Sequence, residues 1–209
     1  MKLKPLYITR DQLRDKDFRK VNLACGRRIY PGRGWTNLDI VDASHVQGCD
    51  IFNLQWPVRP GSVDYILASH ILEHVPHYHP EIGVAFWYHF FPYLLSRFRN
   101  GGLLEVWGPD PDRRDTLQYV GHTRLVGPKS FAEYTQAHAK FSSLENLDSR
   151  RDYEMELVHL ERRRTIRMGP LDDYHFEHYL GPGWRDRMAR LVGRKDELRM
   201  VYRVRRVGK

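Results

Sequence analysis

Short apolar runs separated by turn residues dominate the first half of the chain. These runs predict strands over residues 20–24, 36–40, 45–49, 63–68 and 103–107. Glycine and proline punctuate them, for example at Gly26 and at Pro60-Gly61, which predicts turns. Strands joined by turns and helices of this length are typical of a doubly wound, mostly parallel α/β sheet.

The segments around these strands have weaker patterns. Residues 1–19 are mixed and charged, which predicts a lead-in helix or arm. Residues 80–99 predict a helix that begins at Pro80 and is kinked at Pro92. The following Asn100-Gly101-Gly102 is typical of a helix C-terminus.

The second half of the chain is less regular. Residues 129–140 and 184–192 have helical patterns, and alternating apolar residues predict a closing strand over 197–207. Residues 154–167 fit a strand or a helix, and the pattern leaves that choice open.

Composition indicates one globular domain with a sizeable core. The chain has 209 residues, of which 41% are hydrophobic and 29% charged. No apolar run approaches the roughly 20 residues that a membrane span needs, and the charged start does not resemble a signal peptide. We therefore expect no membrane span and a cytoplasmic location. Two cysteines exclude a disulfide framework and a four-cysteine zinc site.

Positive charge is concentrated near the end of the chain. Residues 150–209 contain sixteen Lys and Arg against ten Asp and Glu, and so carry six of the eight net positive charges. Such a region could attract nucleic acid. It lacks the combination of aromatic and basic residues that nucleic-acid modules show, which favours a solvated, arginine-rich surface.

Five segments follow one another in an order that matches a known family. They are VNLACG at 21–26, GWTNLDI at 34–40, CDIFNLQWP at 49–57, SVDYILASHILEHV at 62–75 and NGGLLEVWGPD at 100–110. Together they resemble the class I S-adenosylmethionine-dependent methyltransferases. The similarity is to the branch with an N-L-G-C-G first loop, a G-W-x-N-x-D step and an E-H-V turn. The chain departs from that branch at Ala24, where glycine is common.

The resemblance implies one class I methyltransferase-like domain over residues 1–209, with an inserted cap region. Residues 20–110 would hold S-adenosyl-L-methionine, residues 111–183 would cover the acceptor site, and residues 184–209 would return to the sheet as a closing helix and strand.

The resemblance also implies the residues of the cofactor site. Asp39 would accept the ribose hydroxyls and Asp50 the adenine amino group. The other implied contacts are Ile51 on the adenine ring, Gly26 and Arg27 near the ligand carboxylate, and Ser69 and His70 near the methionine part. Ala24, Cys25 and Ile40 complete the implied cofactor-binding residues.

Methyl transfer from such a cofactor chiefly requires that the two reactants are aligned. A hydroxyl acceptor would need a base, for which His70 and Asp110 are the candidates. We expect an acceptor hydroxyl or amine on a small molecule or glycan. Two alternatives stay open: a nucleic-acid-directed methyltransferase that uses the basic C-terminal third, and a catalytically silent, methyltransferase-like scaffold. The sequence leaves the oligomeric state open.

Residues 70–74 spell H-x-x-E-H, the pattern of inverted zinc proteases. In such enzymes both histidines lie within one helix, whereas His70 here directly follows a strand. The sequence offers no clear third ligand, and we predict no metal site. His74 is expected to be a structural histidine, and His77 and His79 to be surface loop residues.

Overall fold

A seven-stranded sheet forms the centre of the computed structural model, which describes residues 6–84, 86–111, 122–134, 152–163 and 197–207. The strands are β1 Lys20–Leu23, β2 Trp35–Asp39, β3 Gln47–Gly48, β4 Val63–Ser69, β7 Phe98–Pro109, β8 Tyr153–Arg163 and β9 Glu197–Arg206. A separate two-stranded hairpin consists of β5 Tyr78–His79 and β6 Gly83–Val84. The described α-helices are α1 Arg10–Arg14 and α2 Trp87–Ser96.

The strand order is β3-β2-β1-β4-β7-β9-β8. The first five strands of this order run parallel, and β9 lies antiparallel between β7 and β8. The order reverses between β1 and β4, because the chain winds outward from β1 in one direction and from β4 in the other. The predicted doubly wound, mostly parallel α/β sheet is confirmed.

One face of the sheet carries the main apolar core. Helix α2 packs Phe90, Phe91, Leu94 and Leu95, all fully buried, into this core. Its partners on the sheet are alternate residues of several strands: Val21, Leu23, Leu38, Ile66, Ala68, Leu104, Val106, Met200 and Tyr202. Burial of these side chains is the main stabilising contribution to the sheet.

Among the described residues, extended chain covers the other face of the sheet. Residues 24–34 connect β1 to β2 without an α-helix and run back over the sheet. The ring of Tyr30 stacks on Trp35 at 4.4 Å. The Asn37 amide accepts from the Tyr30 N–H and donates to the carbonyls of Tyr30 and His45, while the Asn22 amide donates to the Arg28 carbonyl. These two side chains satisfy backbone groups that a helix would satisfy internally.

A buried carboxylate anchors the N-terminal arm to the same face. Glu105 on β7 is fully buried and accepts from the Tyr65 hydroxyl at 2.6 Å, the Trp107 indole at 2.6 Å and the Tyr7 backbone N–H at 2.7 Å. Arg199 on β9 completes the set at 2.9 Å. Burial and the Glu105 charge raise the pKa of Tyr65 well above its ordinary value, so this hydroxyl stays a donor.

The helix expected over 80–99 is wrong in its first part. A turn at residues 80–82 closes the β5–β6 hairpin there, Gly83 with φ +91° begins β6, and α2 starts only at Trp87. The expected stop at Asn100-Gly101-Gly102 is also wrong, because the helix ends at Ser96 and these residues lie inside β7. Gly102 is required by space, since a Cβ there would lie 2.7 Å from the Phe98 ring.

The sequence left open whether residues 154–167 form a strand or a helix. The structure describes this segment as far as Arg163, and Tyr153–Arg163 is a strand that pairs along the length of β9. The strand expected over 45–49 is present as the two residues of β3. Of the helix expected over 129–140, Pro128–Tyr134 forms a 3-10 helix. The helix expected over 184–192 and most of the expected cap lie outside the described residues. No helix in the described ranges is both long and apolar enough to cross a membrane.

Candidate active site

The five parallel strands end at one edge of the sheet, and the predicted site residues lie at this edge. Residues 24–27 follow β1. Asp39 is the last residue of β2, and Ile40 comes next. The segment after β3 contains Asp50 and Ile51. Ser69 is the last residue of β4, with His70 directly after it, and Asp110 follows β7. In open α/β sheets, ligands bind at this edge where the strand order reverses. Here the order reverses between β1 and β4.

The first loop is fastened to the end of β2. The Gly26 N–H donates to Asp39 Oδ2 at 2.7 Å, and the Cys25 N–H donates to the Leu38 carbonyl at 3.0 Å. Ala24 and Gly26 both have positive φ, at +47° and +52°. A Cβ on Gly26 would meet nothing within 4 Å, so the loop faces open space. Ala24 therefore holds a backbone conformation that is strained for a residue with a side chain.

Charge and burial act together on the thiol in this loop. Burial, followed by the nearby Asp39 carboxylate, raises the pKa of Cys25 to about 11. The thiol is therefore neutral at neutral pH, and it contributes no charge beside Asp39.

Exposed apolar side chains follow Asp39. Ile40 is 74% exposed and Val41 64% exposed, an unusual position for two neighbouring apolar residues. Across from them, Asp50 Oδ1 accepts from the Phe52 N–H at 3.0 Å and begins a 3-10 turn. Ile51 is only 4% exposed and belongs to the main core.

Arg28 joins the first loop to the end of β4. Its Nη1 donates to Ser69 Oγ at 2.9 Å. The sequence pointed to the neighbouring Arg27, which is exposed. Nothing in the sequence separates two adjacent arginines, because the difference depends on which way the loop turns.

His70 stands between two carboxylates. Its backbone has φ +56°, and its N–H donates to the Trp107 carbonyl at 2.8 Å. The ring Nδ1 lies 3.3 Å from Glu73 Oε1, and Nε2 lies 3.1 Å from Glu197 Oε1. The left-handed backbone thus turns the ring toward β9, where it connects the end of β4 to the start of that strand.

Asp110, the second predicted catalytic residue, is buried. Only 1% of it is exposed, and Arg162 Nη1 lies 3.7 Å from its Oδ2. Arg162 belongs to the basic region that was expected to be a solvated surface, and it nevertheless approaches a carboxylate of the candidate site.

The histidines after β4 fall into two groups. His77 is exposed as expected, with Nε2 2.7 Å from the Thr123 carbonyl oxygen. His79 is buried and stacks on Phe86 at 4.8 Å, so its assignment to the surface is wrong. His74 instead meets His122, with ring centroids 4.9 Å apart.

Glu73, His74 and His122 form a cluster that sequence reasoning missed. One potential ligand atom from each lies within 4.8 Å of the other two. The H-x-x-E-H motif signalled two of these residues. His122 lies 48 residues beyond His74, and no local pattern indicates that it returns to this turn.

The structure also has a cleft away from this edge of the sheet. It has a volume of about 340 Å³ and lies at the opposite ends of β1, β2 and β4, where Lys16, Arg19 and Arg59 contribute to its lining. We place the candidate site at the other edge, where the strand ends bring the carboxylates and the open loop together.

Comparison with solved structures supports the topology. No protein-family model matches the sequence, and no curated protein matches it as a relative. One similar structure is a Haloferax volcanii protein described as a methyltransferase, which was solved in complex with the Trm112 methyltransferase activator. The similarity covers 92% of this chain and 84% of that chain, with a TM-score of 0.51 and 14% sequence identity. The chain has the class I methyltransferase fold.

Two further similar structures are S-adenosylmethionine-dependent methyltransferases. The one from Mesorhizobium loti is 16% identical, with 90% of this chain and 91% of that chain covered and a TM-score of 0.49. The one from Archaeoglobus fulgidus is 12% identical, with 90% and 87% covered and a TM-score of 0.48. Within this methyltransferase fold, the first loop, Asp39 and Asp50 occupy successive strand ends along the same edge.

Proposed function

We propose that the chain binds S-adenosyl-L-methionine at the carboxyl ends of β1, β2 and β3 and transfers its methyl group to a hydroxyl or amine of a small molecule or glycan. The contact between Gly26 and Asp39 carries this proposal, because it brings an open glycine loop and a carboxylate together at the point where such sheets bind ligands.

Asp39 suits the ribose of the cofactor. A carboxylate can accept hydrogen bonds from both hydroxyls of a ribose, as acidic residues do in dinucleotide sites. Oδ2 already accepts from Gly26, and Oδ1 lies 3.5 Å from the Val41 N–H. Each carboxylate oxygen can accept a second bond, so the ribose adds to the existing contacts.

The exposed Ile40 and Val41 suit the adenine ring. An aromatic ring that covers them would remove apolar surface from water, which gives a reason for their exposure. Asp50 is on the neighbouring strand end and is our candidate acceptor for the adenine amino group. Ala24, Cys25, Arg27, Ser69 and His70 are our candidates for the methionine part, and we add Arg28 through its bond to Ser69.

The transfer step needs alignment more than it needs a strong base. An acceptor lone pair attacks the methyl carbon, the carbon–sulfur bond breaks, and neutral S-adenosylhomocysteine leaves. For a hydroxyl acceptor, we favour His70 over the buried Asp110 as the group that takes the proton. Its ring is 28% exposed, and it would first have to release Glu197.

Calorimetric titration with S-adenosylhomocysteine tests the proposal. We expect micromolar binding by the parent protein. Asp39→Ala should weaken it about 10- to 100-fold, because hydrogen bonds to a charged group are lost, at about 1.4 kcal/mol for each factor of ten.

Asp17→Ala is the matched control, since Asp17 is an exposed carboxylate in the segment before β1. It should bind like the parent. No binding by the folded parent protein would refute the proposal and favour the scaffold alternative.

A further inference from the structure

We propose that Glu73, His74 and His122 bind a divalent transition-metal ion of the zinc type. The site lies beside the β4 carboxyl end but does not include the cofactor contacts, so it stands whether or not the cofactor proposal holds. It departs from the expectation, drawn from the sequence alone, that the chain has no metal site.

The carboxylate of Glu73 is the strongest indication. The residue is only 1% exposed. In the described part of the chain neither carboxylate oxygen accepts a hydrogen bond, although His70 Nδ1 lies 3.3 Å from Oε1 in a geometry that does not form one. Burying a carboxylate without hydrogen bonds is costly unless a cation compensates it. A metal ion bound by both carboxylate and imidazole would supply that compensation.

The two histidines direct their ligand atoms to the same place. Each ligand atom of the three residues is within 4.8 Å of the others, so small side-chain rotations bring all three to the 2.0–2.2 Å bonds of a zinc ion. Two imidazoles and one carboxylate form a ligand set that divalent zinc and iron sites use. Three protein ligands leave a fourth position open for water or another oxygen donor.

The backbone holds His122 against the turn that carries the other two ligands. The Thr123 N–H donates to the Glu73 carbonyl at 2.8 Å, and its hydroxyl donates to the Val75 carbonyl at 2.7 Å. The Arg124 Nε donates to the same Val75 oxygen at 3.2 Å and its guanidinium lies over the Trp87 ring. A site whose ligands are positioned before the ion arrives binds it more tightly than a flexible one.

Zinc binding to the purified full chain tests this proposal. Equilibrium dialysis of metal-free protein against buffered Zn²⁺ should give one tightly bound ion per chain. Glu73→Gln and His122→Ala should each weaken its binding at least tenfold. Zinc should also raise the Tm of the parent protein, because an ion that binds only the folded state stabilises it. At the same free zinc concentration it should raise the Tm of Glu73→Gln by less.

The controls separate this site from the other histidines of the chain. His89→Ala removes an exposed imidazole on α2 and should leave zinc binding unchanged. Glu73→Gln without metal should be at least as stable as the metal-free parent, because the buried charge is gone. Equal zinc affinity in the parent, Glu73→Gln and His122→Ala, or no bound zinc at all, would overturn the proposal. Titration of the metal-free protein with S-adenosylhomocysteine reports separately on the cofactor site.

Discussion

At the scale of single residues, Asp39 affects its surroundings through charge as well as through hydrogen bonds. It fastens Gly26 to the end of β2 and is the second cause, after burial, of the raised Cys25 pKa. The same carboxylate that we assign to the ribose therefore keeps a neighbouring thiol neutral. This gives a way to observe the Asp39 charge directly, without any ligand.

We predict that Asp39→Asn lowers the pKa of Cys25 from about 11, because a neutral amide no longer disfavours the thiolate. Asparagine keeps an oxygen that can accept from Gly26, so the loop geometry is retained. The rate of alkylation follows the thiolate fraction. The midpoint of its pH profile, measured in a Cys49→Ser background, should move to lower pH.

Cys49 provides the comparison. Burial and then Asp50, not Asp39, raise its pKa. In a Cys25→Ser background, Asp39→Asn should leave the alkylation profile of Cys49 in place. An unmoved Cys25 profile, or equal shifts at both thiols, would contradict a local effect of the Asp39 charge.

Part of the candidate site could be placed from the sequence. Asp39 and Gly26 could be put at strand ends, because a short strand that ends in an acidic residue and a glycine after another strand are both local patterns; their roles toward a cofactor follow from the resemblance and stay predictions. Arg28 and His122 could not be placed in this way. Their positions depend on how distant segments fold back, which no single stretch of sequence encodes.

At the scale of elements, strand β7 depends on one buried ion pair. Glu105 accepts from Tyr65, Trp107, Tyr7 and Arg199, and it joins β7 to β4, to β9 and to the N-terminal arm. Removing one member of a buried pair leaves the other charge uncompensated, which costs more than the pair contributes.

We therefore predict that Glu105→Gln lowers the free energy of unfolding by about 3 kcal/mol, measured by urea denaturation. Glu81→Gln, at an exposed carboxylate in the β5–β6 turn, should change it by less than about 0.5 kcal/mol. The double variant Glu105→Gln with Arg199→Met should recover part of the loss, because the uncompensated positive charge is removed while the glutamine oxygen still accepts a hydrogen bond. A double variant no more stable than Glu105→Gln would contradict the explanation by an uncompensated charge.

Elements were predictable where burial on both faces gives a nearly continuous apolar run, as in β4. The segment before α2 was not, because its aromatic residues suit a helix and a hairpin alike. Tertiary contacts stabilise the hairpin instead of a longer helix: His79 of β5 stacks on Phe86, which precedes α2. The class of β8 became clear only through its pairing with β9.

At the scale of the whole molecule, several arginines of the basic C-terminal third are paired with carboxylates in the described residues. Glu156 on β8 lies 3.1 Å from Arg205 and 3.6 Å from Arg203 across the sheet edge. Glu161 pairs in the same way with Arg199 at 3.2 Å. Ion pairs of this kind favour a solvated basic surface over a nucleic-acid interface.

We predict that the protein binds single-stranded RNA only in the non-specific range, with a Kd of about 10⁻⁴–10⁻⁶ M at physiological salt, measured by fluorescence anisotropy. Glu156→Gln should tighten this binding a few-fold at low salt, because two arginines lose their partner. A nanomolar Kd, weakly dependent on salt, would instead support the nucleic-acid-directed alternative.

Because the connection between β1 and β2 has no α-helix, the two faces of the sheet differ in how many substitutions they tolerate. The face beneath α2 is apolar, and such cores accept exchanges among side chains of similar volume. On the other face, Asn22 and Asn37 each satisfy particular backbone groups at fixed distances, and no other side chain has the same donors and acceptors in the same shape. Substitutions that accumulate in this chain should therefore collect beneath α2, while the two asparagines and the loop that leads to Asp39 tolerate almost none.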